Sequence, residues 1–227
     1  MRLAAEAIFA ACCHPYHNEL NRAERACKPR LYFVSDRTGW WNLYRLRADV
    51  VEPLHAMPAE FGKPQWQLGT STYAFATSQV VVVTYVQDGH WRLALLSLEP
   101  RRFETLALPV EPIDAVVATS RAAYFVGGSA TDGPAITRVT FGGAEADVVR
   151  RSRSDTLDTA DVSVPEAITF DSGGEPVHAF YYPPANARYH GPAGERPPLL
   201  VLSHGGPTGA TDPIFDPDVQ FWTTRGF

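Results

Sequence analysis

Leu31-Tyr32-Phe33-Val34-Ser35-Asp36-Arg37-Thr38-Gly39-Trp40-Trp41-Asn42-Leu43-Tyr44-Arg45-Leu46 reads as an apolar run, a polar turn that includes glycine, and a second run of alternating character. Strand, tight turn, strand is the pattern of a β-hairpin, because the turn residues supply the positive φ that the reversal needs. The same order returns at Val81 to Val86, Gln87-Asp88-Gly89-His90 and Trp91 to Leu96. It returns again at Ala122 to Val126, a longer turn from Gly127-Gly128 to Asp132-Gly133, and Pro134 to Val139. Aligned on Trp41, Trp91 and Pro134, the copies recur at intervals of 50 and 43 residues. That is the period of a propeller blade, one four-stranded sheet in about 40 to 50 residues.

No copy carries a strict blade signature such as Trp-Asp, so a plain β-meander is the competing reading. The recurrence of the same three parts in the same order favours blades. A closed propeller needs at least four of them. Three copies therefore predict an incomplete toroid, with its first blades absent.

Composition agrees with a β-rich globular chain. The 45% hydrophobic content is enough for a core, and 19 Pro with 17 Gly suit short strands joined by turns more than a helical bundle. With 20 Lys+Arg against 25 Asp+Glu, a net charge of -5 gives no basic excess for gripping phosphates, so nucleic acid is not an expected partner. No stretch approaches the roughly 20 apolar residues of a membrane span. All three cysteines, Cys12, Cys13 and Cys27, fall within the first 27 residues, which leaves the rest to fold without a disulfide and suits a reducing, cytoplasmic setting. Residues 1–29 resemble nothing downstream. Cys12-Cys13-His14, His17 and Cys27 are ligand types, but adjacent cysteines do not both point readily into one tetrahedral site, so no metal or other cofactor is expected.

Arg150-Arg151-Ser152-Arg153-Ser154-Asp155 breaks the repeat with a polar stretch that reads as a connection between domains. After it, Val164 to Phe170 and Pro176 to Tyr182 flank Asp171-Ser172-Gly173-Gly174-Glu175, a second kind of hairpin. Pro197-Pro198 then leads into Leu199-Leu200-Val201-Leu202, an apolar run that predicts a strand buried on both faces of a sheet. The run stops at Ser203-His204-Gly205-Gly206-Pro207.

An apolar strand ending in His-Gly-Gly has the form of the loop that supplies oxyanion donors in α/β-hydrolases. Glycine suits that task because the main chain must approach a developing negative charge closely. The candidate catalytic groups are thus the backbone N–H groups of Gly205 and Gly206, with His204 bracing the loop; Pro207 has no N–H to give. The competing reading is an ordinary strand-exit turn. Downstream, Asp216 as N-cap, Pro217 at the first helical position, Asp218, then Val219, Phe221 and Trp222, with Gly226 after Arg225, predict a short helix. No Gly-x-Ser-x-Gly elbow surrounds any serine of the 227 residues, so the nucleophile of such an enzyme is not expected here.

Leu31 to Tyr44 resembles a propeller blade of the prolyl oligopeptidase family, in its dipeptidyl aminopeptidase/acylaminoacyl peptidase branch. The segment from Glu195 through His204-Gly205-Gly206-Pro207-Thr208-Gly209 to Trp222-Thr223-Thr224-Arg225-Gly226-Phe227 is similar to the start of that family's catalytic domain. The resemblance implies a broken-off piece of a serine peptidase acting on oligopeptides, inactive by itself, with the family's serine, acid and final histidine lacking counterparts. The expected fold is mainly β, a partial β-propeller followed by the N-terminal part of an α/β-hydrolase domain. Its expected divisions are 1–29, an atypical terminus; 30–150, about three blades; and 151–227, the opening of the hydrolase. An esterase with the same loop, or a non-catalytic propeller that binds partners, remains open, and self-association into a homo-oligomer is compatible with the sequence.

Overall fold

The computed structural model describes residues 31–63, 69–143, 145–154, 157–206 and 209–227. Cys12, Cys13, His14, His17, Cys27 and Pro207 lie outside them.

Between Leu31 and Arg151 three sheets follow one another along the chain. The first has three antiparallel strands, β1 (Leu31–Ser35), β2 (Asn42–Arg47) and β3 (Val50–Pro53), in the order β1-β2-β3. The second has four, β4 (Tyr73–Phe75), β5 (Val80–Gln87), β6 (His90–Leu98) and β7 (Arg101–Leu106), in sequence order. The third repeats the four-stranded meander with β8 (Glu111–Ala118), β9 (Ala122–Gly128), β10 (Ala135–Thr140) and β11 (Ala146–Arg151). Each predicted repeat thus supplies one hydrogen-bonded strand pair of one sheet: β1 with β2, β5 with β6, β9 with β10.

The middle sheet shows why its strands carry continuous apolar runs. Successive side chains of a strand point to opposite faces. Val81, Val83 and Tyr85 pack with Tyr32, Val34, Leu43, Leu54 and Phe61 of the first repeat, while Val82 packs with Val116, Ala123, Phe125 and Val139 of the third. Strand β6 divides the same way, with Ala94, Leu96 and Leu98 on the first side and Leu93 on the second. Both faces of this sheet are therefore interior, as in a blade stacked between two others. Val81, Val82 and Val83 are fully buried, each contributing roughly 1.5–3 kcal/mol. In β10 only one face is covered: Ala135, Thr137 and Val139 are buried and Ile136, Arg138 and Thr140 are exposed.

The turns follow their residues. Asp88 and Gly89 take φ of 54° and 78° between the paired Gln87 and His90, the two-residue turn whose twist matches its flanking strands. Between β2 and β3 the same task falls to Ala48 and Asp49, at φ 46° and 65°. A Cβ in that region is strained by roughly 1–2 kcal/mol. Ala48→Gly is accordingly expected to raise stability by about 0.5–1 kcal/mol, as a higher urea midpoint with an unchanged m-value, because relief of strain outweighs glycine's entropy.

The third sheet extends further than the sequence suggests. Arg150 and Arg151 are not linker residues: they end β11, where Arg151 pairs with Ala135 in the ladder and its guanidinium meets Asp132 at 2.8 Å. Beyond it a 3-10 turn (Thr159–Asp161) leads to the predicted hairpin, β12 (Glu166–Ser172) and β13 (Glu175–Tyr181). Helix α1 (Pro217–Thr223) closes the described chain. Among the described residues no helix is long and apolar enough to cross a membrane.

Candidate functional site

Leu199 to Leu202 was expected to form an interior strand, and it does not. The four residues pair with no strand among those described and are 77%, 41%, 77% and 67% exposed. A strand exists through its ladder partners, so an apolar run without them has no regular structure and no buried face. What remains of the expectation is the loop that the run leads into.

Ser203, His204, Gly205 and Gly206 are all exposed. Gly206 has φ of 72°, a conformation natural to glycine. A methyl group built at either Gly205 or Gly206 would meet no atom within 4 Å, so the Cα faces of both residues open onto free space. Gly209 is the opposite case. A Cβ there would lie 2.5 Å from the Gly205 carbonyl oxygen and 2.9 Å from His204 Nδ1. Gly209 therefore lies directly against the Gly205 carbonyl and the imidazole of His204.

From Gly209 the chain runs as a strap across the second and third sheets. The Trp91 indole Nε1 donates to Asp212 Oδ1 at 2.7 Å, joining β6 to a residue 121 positions later. The Phe215 N–H donates to the Ser129 carbonyl at 2.7 Å. The Ile214 side chain packs on Gly128, where a Cβ would come within 3.4 Å of it.

Charged groups surround the anchor. Lys63 Nζ sits 5.0 Å from the centre of the Trp91 ring and pairs with Asp114 at 3.0 Å. Glu111 takes the Trp91 backbone N–H through Oε2 at 2.9 Å, while its Oε1 lies 2.7 Å from His90 Nδ1. Burial pushes the Asp212 carboxyl above its ordinary range, against the opposing pull of the Trp91 hydrogen bond and Lys63. Burial likewise raises the Tyr182 phenol, and the nearby Asp216, Asp212 and Glu111 add to the shift. A cavity of about 330 Å³ opens beside this group, lined by His90, Trp91, Glu111, Pro112 and residues of β6 and β7. Ser203 to Gly206 do not line it.

Helix α1 forms as its sequence dictates. The Asp216 side chain accepts from the Asp218 N–H at 2.8 Å and Pro217 opens the first turn. At the other end the Gly226 N–H reaches the Thr223 carbonyl and the Phe227 N–H the Trp222 carbonyl, both at 3.2 Å, with Gly226 at φ 87°. This is the Schellman arrangement, completed by a 5.1 Å contact between the Trp222 and Phe227 rings. The helix is tied to the strand entry by Gln220, whose Oε1 accepts from Ser163 N at 2.7 Å and whose Nε2 donates to the Ser163 carbonyl at 3.0 Å.

Of the residues singled out from sequence, His204, Gly205 and Gly206 thus share one exposed loop. Trp91, Lys63, Asp114, Asp212 and Gln220 carried no local signal. Their partners are distant in sequence, and Trp91 stood out only as a marker of the repeat.

No protein-family model matches the chain, and none of the curated proteins does. Solved structures do. A puromycin-hydrolysing peptidase of Mycobacterium tuberculosis superposes with a TM-score of 0.81 at 32% identity over 87% of this chain. Puromycin hydrolase superposes with 0.82 at 30% identity over 88%. A variant of puromycin hydrolase, complexed with PGG, gives 0.81 at 30% identity over 88%. The chain spans 31% of the length of each. The isopeptidase AtxE2, at 10% identity and a TM-score of 0.52, shares the fold.

Proposed function

Because the chain belongs to the prolyl oligopeptidase family of serine peptidases, over a length equal to 31% of its puromycin-hydrolysing relatives, we propose that it works as the propeller and oxyanion-loop portion of such a peptidase. The substrates would be short peptides and aminoacyl amides of the kind puromycin represents. A serine hydroxyl attacks the scissile carbonyl, its proton passes to a base, and the carbonyl oxygen becomes an oxyanion. The C–N bond then breaks, the amine leaves with a proton, and water releases the acyl group. Gly205 and Gly206 would hold the oxyanion through their main-chain N–H groups, with His204 bracing their loop. No metal or other cofactor enters this scheme.

The observation that carries the proposal is the likeness to puromycin-hydrolysing peptidases over 87–88% of this chain, at 30–32% identity. The division of labour follows the sequence: 30–150 as about three blades and 151–227 as the opening of the catalytic domain. A cytoplasmic setting, drawn from the placement of the cysteines, is part of the same reading.

A fluorophosphonate that acylates activated serines tests it. The 227-residue sequence contains no Gly-x-Ser-x-Gly, so the expected result is no adduct on this chain and one adduct per molecule on a polypeptide that extends through the nucleophile. That polypeptide is expected to release amine from peptidyl amides. Stoichiometric labelling of the 227-residue chain overturns the reading, and hydrolysis confined to simple esters would assign an esterase instead.

A further inference from the structure

The loop that bears Gly205 and Gly206 is exposed and has open space around both glycines, so burial does not fix its direction. Its position has to come from what it touches. On its far side it touches Gly209, whose Cα faces the Gly205 carbonyl and the His204 ring at distances that exclude any side chain. Three residues on, Asp212 receives the indole N–H of Trp91. Three residues of backbone reach at most about 10–11 Å, so a fixed Asp212 keeps Gly209 within that distance of the propeller contact.

Trp91 is itself held from two directions, and one of its partners is held in turn. Its backbone N–H is taken by Glu111 from β8, its ring lies under Lys63, and Lys63 is paired with Asp114, again from β8. The indole therefore has a defined direction set jointly by the second and third sheets. A hydrogen bond to a carboxylate is stronger and more directional than one between neutral groups, and here it is partly shielded from water. The Phe215 to Ser129 hydrogen bond pins the other end of the strap to the third sheet.

We propose that Trp91 is a positioning residue for the His204 to Gly206 loop: its indole N–H holds Asp212, Asp212 fixes the strap, and the strap seats Gly209 against His204 and Gly205. The propeller, through one side chain of its second sheet, sets where the Gly205 and Gly206 N–H groups point. The use of those N–H groups in catalysis rests on the function proposed above; the mechanical coupling does not.

The test is nuclear magnetic resonance on the 227-residue chain, comparing the parent with Trp91→Phe, Asp212→Ala and Asp212→Asn. Phenylalanine keeps a ring for Lys63 and removes only the indole donor; asparagine keeps an acceptor oxygen. Two readouts are followed: hydrogen exchange of the Phe215 amide, and the positions of the Gly205, Gly206 and Gly209 amide cross-peaks. In Trp91→Phe and Asp212→Ala the Phe215 amide is expected to exchange roughly 10- to 100-fold faster, the loss of one charge-assisted hydrogen bond. The three glycine cross-peaks move with it. Asp212→Asn is expected to exchange within about threefold of the parent, with its glycine cross-peaks near the parental positions; faster exchange in Asp212→Ala with parental exchange in Trp91→Phe would assign Asp212 a merely space-filling role and overturn the proposal. Val82, between the sheets, serves as the control for global unfolding.

Glycine cross-peaks that stay in place while Phe215 exchange accelerates overturn the coupling, as does parental exchange in both Trp91→Phe and Asp212→Ala. If Trp91→Phe fails to fold, Asp212→Leu, which keeps the volume and removes the acceptor, takes its place: parental exchange in Asp212→Leu, or equal behaviour of alanine and asparagine, overturns the proposal. Because no readout depends on turnover, a coupling that holds while Gly205 proves irrelevant to catalysis would sink the oxyanion assignment and leave Trp91 in place.

Discussion

Gly205→Pro is expected to lower kcat for peptide hydrolysis about 10²- to 10³-fold, with little change in KM, in a polypeptide that carries this chain together with the catalytic serine. Proline removes the backbone N–H, and a Cβ at 205 meets no atom within 4 Å, so the remaining change is the ring's restraint on φ of 205 and on the backbone of His204. A donor aimed at the developing oxyanion acts in the transition state more than in the ground state, so its loss falls on kcat. Gly205→Ala is the control. It keeps the N–H and enters open space, so its activity is expected to stay within a few-fold of the parent. Gly206 is less forgiving even of alanine, because φ of 72° strains any L side chain by roughly 1–2 kcal/mol. Steady-state kinetics on a peptidyl amide reads all three.

Gln220→Leu is expected to destabilise the chain by about 2–4 kcal/mol. Gln220 is 1% exposed, and its amide satisfies both the N–H and the carbonyl of Ser163, itself 1% exposed. Leucine matches the volume but leaves two buried backbone groups unpaired, each worth about 1–3 kcal/mol, against a partial gain from apolar burial. The effect is local to the junction between helix α1 and the chain ahead of β12. The Ser163 amide is expected to lose protection from hydrogen exchange before the amides of β5 do, and chemical denaturation gives the magnitude. Equal stability of parent and variant would mean that the helix is not docked through this residue.

The two effects act on different parts of one segment. Gln220 holds helix α1 to Ser163, ahead of β12, while Asp212 and Phe215 hold the strap to the second and third sheets. The loop with Gly205 and Gly206 lies immediately ahead of both. On the coupling proposed above its geometry is set from the downstream side alone, since the run ahead of it, Leu199 to Leu202, is exposed and unpaired.

Local chemistry was readable in the sequence wherever local chemistry decides. Asp88-Gly89 and Gly173-Gly174 announced their turns, Asp216-Pro217 the start of helix α1 and Gly226 its end, because cap and turn residues act on backbone groups a few positions away. The blade period was readable because each sheet buries the same pattern. Ala48-Asp49 was not, since neither residue prefers positive φ and the strands on either side impose it. The bulges of β8 near Asp114 and Val117 hid that strand's alternation. Leu199 to Leu202 misled for a related reason: an apolar run states what a strand would bury, while its ladder decides whether the strand forms. Trp91 with Asp212, and Gln220 with Ser163, join positions 121 and 57 residues apart, and nothing in either neighbourhood marks the partner.

The role given to the His204 to Gly206 loop is tested most directly by the structure of the phosphonylated enzyme, in which a tetrahedral phosphorus on the catalytic serine stands in for the acyl transition state. The phosphonyl oxygen is expected about 2.7–3.1 Å from the main-chain nitrogen of Gly205 or Gly206. A phosphonyl oxygen held by other donors, with this loop turned away from it, would contradict the account.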